Sequence, residues 1–167
     1  MNFLQRIFGS AEENPEEKKK ETEARQFDAL KYDGIAALKI GQVDYAVTCF
    51  SHALQLQDDL EIHDHLSVAY IHQNQMANAV NELRLLADAQ PDNQAVWVRM
   101  ARVCYMMEDY DQMAEACERA EAVGAGSAEV SYLYAEARQG QGDKEAAVAL
   151  LGEAIARDEH HGAAYLL

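Results

Sequence analysis

The chain is short of residues that interrupt helices and of features that mark export or membrane insertion. Among its 167 residues there are only two prolines, Pro15 and Pro91, with nine glycines and one tryptophan. So little proline leaves long stretches in which a helix meets no obstacle. The three cysteines, Cys49, Cys104 and Cys117, are an odd set without a CxxC pair. They argue against a disulfide framework and are expected to be reduced thiols in a cytoplasmic compartment. Basic residues are also few, 14 Lys and Arg against 29 Asp and Glu, a formal net charge of −15. That field repels phosphate backbones and anionic headgroups, so nucleic acid is not an expected partner. Charges interrupt every apolar run before the roughly 20 residues that a membrane-spanning helix needs.

What is present leans towards helix. Alanine is abundant and is joined by many Leu, Glu, Gln and Met, all good helix formers. The opening residues include Phe3, Leu4, Ile7 and Phe8, which share one face of a short helix. That is the pattern of a membrane-touching foot or docking peptide, so membrane contact through residues 1–9 is one reading. Two helical turns are marginal in water, however, and residues 1–14 are expected to be a flexible segment. Asn14-Pro15-Glu16-Glu17 then combines a capping side chain, a proline needing no donor and acids at the positive end of the dipole. A helix is predicted to start at Pro15. Glu21 with Arg25 and Glu16 with Lys20 are spaced for surface ion pairs, so Lys18-Lys19-Lys20 reads as part of a solvated helical lead-in.

Self-similarity is the strongest signal. Gly34, Ser67, Ala101 and Ala135 are all small, and they are separated by 33, 34 and 34 residues. The same separations relate Ala46, Ala79, Met113 and Ala147; Phe50, Leu83, Cys117 and Leu151; and Ala53, Leu86, Ala120 and Ala154. Independent columns sharing one single-residue offset imply a true repeat. Each unit divides at Gly41-Gln42, Asn74-Gln75, Glu108-Asp109 or Gly142-Asp143 into two helical stretches. Between units, Gln57-Asp58-Asp59, Gln90-Pro91-Asp92-Asn93 and Gly124-Ala125-Gly126-Ser127 combine helix stops with new caps. The small residues of the first helices would let the paired backbones approach closely. Met100 and Met113 are expected in the core and Met106 on the surface.

A 34-residue helix-turn-helix period with these small and aromatic slots resembles the tetratricopeptide repeat (TPR) family, across residues 27–161. Tyr70 and Ala79 before Pro91, followed by Trp97 in the large-aromatic slot, carry the resemblance most clearly. Asn74 and Glu108 depart from the usual turn glycine, Met113 from a favoured alanine, and Ala125 and Glu159 from a closing proline. The resemblance implies an all-α, right-handed α-α superhelix of about four repeats, 27–59, 60–93, 94–127 and 128–161. Together with the helix from residue 15, and with 162–167 as a partial fifth repeat or capping helix, these form one helical domain, 15–167. The C-terminal helix could mate with a second copy.

Chemistry at workable spacing is scarce. His63 and His65 point to different faces of a helix, and no HxxxH or HExxH pattern places two imidazoles together. Glu108-Asp109-Tyr110-Asp111 lacks the alternating ligands and central glycine of a calcium loop. Gly140-Gln141-Gly142 follows no strand and precedes no phosphate-reading Lys-Ser pair, so it reads as a tight turn. Neither a catalytic site, a metal nor a cofactor is expected.

In a stack of such hairpins the first helices line the inner wall, where a partner would bind. The expected peptide-binding positions are Lys31, Tyr32, Ile35 and Lys39 in the first repeat, and His65, Val68 and His72, with Asp64, in the second. They continue as Arg99, Arg102 and Tyr105, with Val98, in the third, and as Tyr132 and Glu136, with Leu133 and Gln139, in the fourth. Four of the nine cations beyond residue 26 fall on this wall, which predicts a locally positive or amphipathic groove suited to an extended or helical peptide with apolar anchors and some carboxylate. The alternative is that these long cations neutralise neighbouring acids.

Some TPR modules grip a C-terminal carboxylate through two lysines, two asparagines and an arginine. Lys31 and Arg99 match that set, but Ile35, His65 and Ala95 replace its other members, so the activity is not carried over. The expected function is a non-enzymatic adaptor that binds a peptide segment of another protein. A self-assembling structural module and a cytosolic chaperone for a secreted protein are the alternatives.

Overall fold

A computed structural model describes residues 14–124 and 127–157. The described residues form eight α-helices and no strand: α1 (Pro15–Lys39), α2 (Val43–Leu56), α3 (Leu60–His72), α4 (Met76–Ala89), α5 (Gln94–Met106), α6 (Tyr110–Val123), α7 (Ala128–Gly140) and α8 (Lys144–Arg157). They pair in order as α1/α2, α3/α4, α5/α6 and α7/α8. The proposed amphipathic foot at 1–9 and the partial repeat at 162–167 lie outside the described residues. The described residues divide into two compact units, one ending at Asp59 and the other beginning at Leu60.

Helix α1 begins where its cap demands. The Asn14 side chain accepts from the Glu16 N–H at 3.1 Å, Pro15 occupies the first helical position, and Glu16 and Glu17 sit in the first turn. Its first twelve residues are exposed, and Phe27 is the first to be buried. Ion pairs Glu21–Arg25 at 2.6 Å and Lys19–Glu23 at 3.8 Å run along this solvated lead-in. In the first unit, Phe27, Gly34 and Ala37 of α1 are buried, as are Ala46, Cys49, Phe50 and Ala53 of α2. Gly34 is small for a reason: a Cβ there would lie 2.6 Å from the Phe50 ring. Close helix approach requires that gap.

The four hairpins turn in the same way. Gly41, Asn74, Glu108 and Gly142 have φ of 77°, 58°, 57° and 85°. After each, the next N–H reaches back five residues: Gln42 to Ala37 O (2.9 Å), Gln75 to Tyr70 O (2.8 Å), Asp109 to Cys104 O (3.0 Å) and Asp143 to Arg138 O (2.9 Å). This is the Schellman closure, in which a left-handed residue satisfies carbonyls orphaned at the helix end. The departures from glycine at 74 and 108 therefore leave the turn unchanged, with the conformational cost carried by Asn and Glu.

The core of the second unit follows the repeat columns. Ser67, Ala101 and Ala135 are buried on the first helices, and Ala79, Met113 and Ala147 on the second. Leu83 and Cys117 are buried as well, while Leu151 is half-buried. Met100 and Met113 fill this core and Met106 is exposed, as the sequence indicated. Trp97 packs against the cluster and its indole N–H donates to Pro91 O at 2.9 Å. The three thiols are free and buried. Burial pushes Cys104 up to about 11 and Cys117 up to about 12, with neighbouring carboxylates adding to the effect.

Candidate functional site

The first helices of the second unit, α3, α5 and α7, are tied by charged rungs that cross from one repeat to the next. Arg99 of α5 donates to Asp64 Oδ1 of α3 at 2.5 Å and to Ser67 Oγ at 3.1 Å. Arg102, one turn further along α5, pairs with Glu129 in the first turn of α7. Such a rung suits arginine, whose guanidinium presents several donors in one plane. In the first unit, Lys31 pairs with Asp59 at 2.9 Å and lies 5.9 Å from the centroid of the Phe27 ring.

Three of the four cations expected to form a basic floor are thus matched to acids. Each of these three cations meets an acid, Lys31 within the first unit and the two arginines within the second, where they join neighbouring repeats. Lys39, exposed in the last turn of α1, has no ion pair among the described residues. His65 is half-buried and lies 3.8 Å from Glu61, one turn earlier. Val68 is half-buried and His72 is exposed at the end of α3. Ile35 is half-buried and Tyr32 is 69% exposed on α1. Leu133 is 8% exposed and belongs to the core of the second unit, because its place on α7 turns inward with Ala137.

Two clefts open on α5 and α7. One, of about 420 Å³, is lined by Val98, Arg99 and Arg102 together with Gln94, Ala95, Ser127 and Glu129. The other, of about 350 Å³, is lined by Tyr105, Tyr110, Glu136, Gln139 and Gly140. Five of the positions chosen from spacing alone therefore fall in these clefts, with Gln139 a sixth. Tyr132 supports the second cleft: its hydroxyl donates to Glu136 Oε1 at 2.8 Å. Burial first, and the Glu136 carboxylate second, push the Tyr132 phenol up to about 12, so it remains a donor at neutral pH.

Sequence reasoning missed Tyr110, Ser127 and Glu129, which belong to a second helix, an inter-repeat link and a helix start. Only Gly140 carried a hint. A Cβ at 140 would come within 2.3 Å of the Tyr110 ring, so this glycine admits the ring against the end of α7. The buried His63–Glu82 contact, 2.5 Å between Nδ1 and Oε2, also escaped the sequence reading. It joins α3 to α4 and lies off the wall positions. Among the described residues no cluster of three or more His, Cys, Asp or Glu could hold a metal ion. None of their helices is long and apolar enough to cross a membrane.

These hairpins place the chain in the all-α class of TPR-like helical solenoids. No family model matches the sequence, and no curated protein matches it at a significant level. Solved structures do. A MamA structure designated AMB-1 is similar over 81% of this chain and 75% of that one, with a TM-score of 0.75 and 23% identity. MamA designated MSR-1 is similar over 80% and 77%, with a TM-score of 0.72 and 22% identity. A further crystal structure of MamA is similar over 95% of this chain and 96% of that one, with a TM-score of 0.72 and 19% identity. At these identities the likeness is one of fold.

Proposed function

We propose that the protein is a non-enzymatic interaction scaffold that holds a peptide segment of a partner protein against the wall of α3, α5 and α7. The observation that carries this reading is the coincidence of two open clefts with the inner-helix positions that the repeat assigns to recognition. Charge-matched rungs keep the helices in register, and Arg99, Arg102 and Glu129 of those rungs line the first cleft beside Val98. Val98 and Tyr105 then supply apolar anchors, and Tyr105, Tyr132 and Glu136 add hydrogen-bonding groups beside them. On the first unit, Lys31, Tyr32, Ile35 and Lys39 are proposed contacts in their own right. A protein partner fits a net charge of −15 better than a nucleic acid does, and three buried thiols suit a reducing, cytoplasmic setting.

Peptides selected from a random phage-displayed library against the full chain provide the test. Their binding to wild type should fall about tenfold or more on combining Val98→Ser with Tyr105→Ala, the scale of a lost apolar anchor. The far-ultraviolet circular dichroism should stay unchanged. Selected peptides that bind the double variant as tightly as wild type, or a selection that enriches nothing, would overturn the reading.

A further inference from the structure

Once the arginines are accounted for, the wall has an electrostatic asymmetry that its composition conceals. The cleft beside α5 and α7 that contains Arg99 and Arg102 also contains Glu129, and its charges are matched. At the other end of the same two helices, the tyrosine notch is bounded by Tyr105, Tyr110 and Glu136. An adjoining cleft of about 560 Å³ shares Tyr110 and Gly140 with the notch and adds Glu108, Asp109 and Asp111. Four carboxylates thus line the two connected clefts, and no Lys, Arg or His does among the described residues. The walls are aromatic and open to solvent: Tyr105 is 45% exposed, and Tyr110 lies against Gly140 with its ring only half-covered.

We infer that this notch receives an arginine side chain from a basic segment of the partner, its guanidinium stacked on Tyr105 or Tyr110 and paired with Glu136. The inference rests on the peptide-scaffold reading above and names the chemistry of its partner. A guanidinium fits better than the other cations available. It is planar, so it stacks on a phenol face while offering two parallel N–H groups to one carboxylate. A metal ion would need several oxygens converging on one point, and the described residues hold no such group. Glu136 is already oriented for the task, because the Tyr132 hydroxyl occupies Oε1 and leaves Oε2 to a ligand. The surrounding acids add long-range attraction for a basic segment at low salt. The partner is therefore opposite in sign to the carboxylate-bearing peptide that the sequence suggested. The reason is tertiary: the wall's arginines are neutralised by Asp64 and Glu129, whereas these four acids meet no cation in the clefts they line.

The test uses the full chain with ¹³C-labelled tyrosine rings and a defined probe, N-acetyl-arginine N-methylamide, against its neutral citrulline counterpart. The arginine probe should shift the Tyr105 and Tyr110 ring signals saturably. Citrulline should bind about tenfold more weakly, the scale of a charge-assisted pair with ring stacking. Glu136→Gln should weaken the arginine probe by a similar factor with unchanged circular dichroism, and Glu153→Gln, an exposed acid of α8 that lines neither cleft, should not. Equal shifts from both probes, no shift from either, or indifference to Glu136→Gln would each overturn the inference. Such a result with phage-selected peptides still captured by the wall would leave the scaffold reading standing; loss of that capture would remove both.

Discussion

The turn column offers a perturbation that acts chiefly on backbone conformation. Glu108 and Gly142 close equivalent hairpins in the same unit, both left-handed, at φ of 57° and 85°. A Cβ at 142 would meet nothing within 4 Å, so adding one there changes backbone energetics and nothing else. A left-handed residue with a Cβ costs roughly 1–2 kcal/mol relative to glycine. Glycine gives back roughly 0.5–1 kcal/mol through the entropy of the unfolded chain. The difference predicts that Glu108→Gly stabilises the second unit by about 0.5–1 kcal/mol and that Gly142→Ala destabilises it by about the same amount. For a chain of this length the melting midpoint should move by roughly 1–4 °C in each direction.

Urea unfolding is the assay. Trp97 is the only tryptophan and packs against the core of the second unit, so its fluorescence reports that unit, with circular dichroism in parallel. Midpoints should shift in opposite directions with an unchanged m-value. A lower midpoint for Glu108→Gly, or an unmoved one for Gly142→Ala, would refute the claim that the column is filled for its backbone conformation.

Two further outcomes follow from the packing. Replacing Arg99 by Met keeps the aliphatic stem but removes the rung to Asp64, whose partners are 32% and 42% exposed; the loss should be about 0.5–1 kcal/mol at low ionic strength and shrink in 0.5 M salt, and urea midpoints that respond equally at both salts would discount the strut. The raised thiols make stability fall at alkaline pH, because the unfolded state ionises them from about 9.0 while the folded state holds their protons to about 11 and 12. Below pH 9 this contribution is fully present, and above it each thiol adds a decline of about 1.4 kcal/mol per pH unit. Titrating the Trp97 unfolding midpoint from pH 8 to 10.5 should show a shallower slope for Cys117→Ala than for wild type; parallel slopes would contradict the burial argument.

The proposals differ in how much each depends on tertiary detail. The scaffold reading needs only the wall and its clefts. The arginine notch needs the Tyr110 ring against the Gly140 backbone, a contact between neighbouring repeats, and Glu136 held by Tyr132 one turn earlier on α7. Peptide selection and the arginine probe therefore interrogate separate links of the same argument.

Repetition in the sequence determined the helices and their ends. A left-handed closing residue every 33 or 34 positions, a small residue at a fixed offset before it and an apolar residue after it leave few other ways to satisfy the backbone and bury the columns. Asn14-Pro15 and Ser127 fixed two helix starts by local capping alone. Six of the positions named from the repeat line two clefts, since which residues share a helix face follows from helical period. The partners of those residues do not follow from it. Arg99 and Asp64 are 35 positions apart and Arg102 and Glu129 are 27 apart, and long side chains reach different neighbours according to how one hairpin settles on the next. Only the packed structure decided which charges cancel and which acids remain facing a tyrosine notch, because electrostatic pairing depends on distances between repeats while periodicity reports order within one.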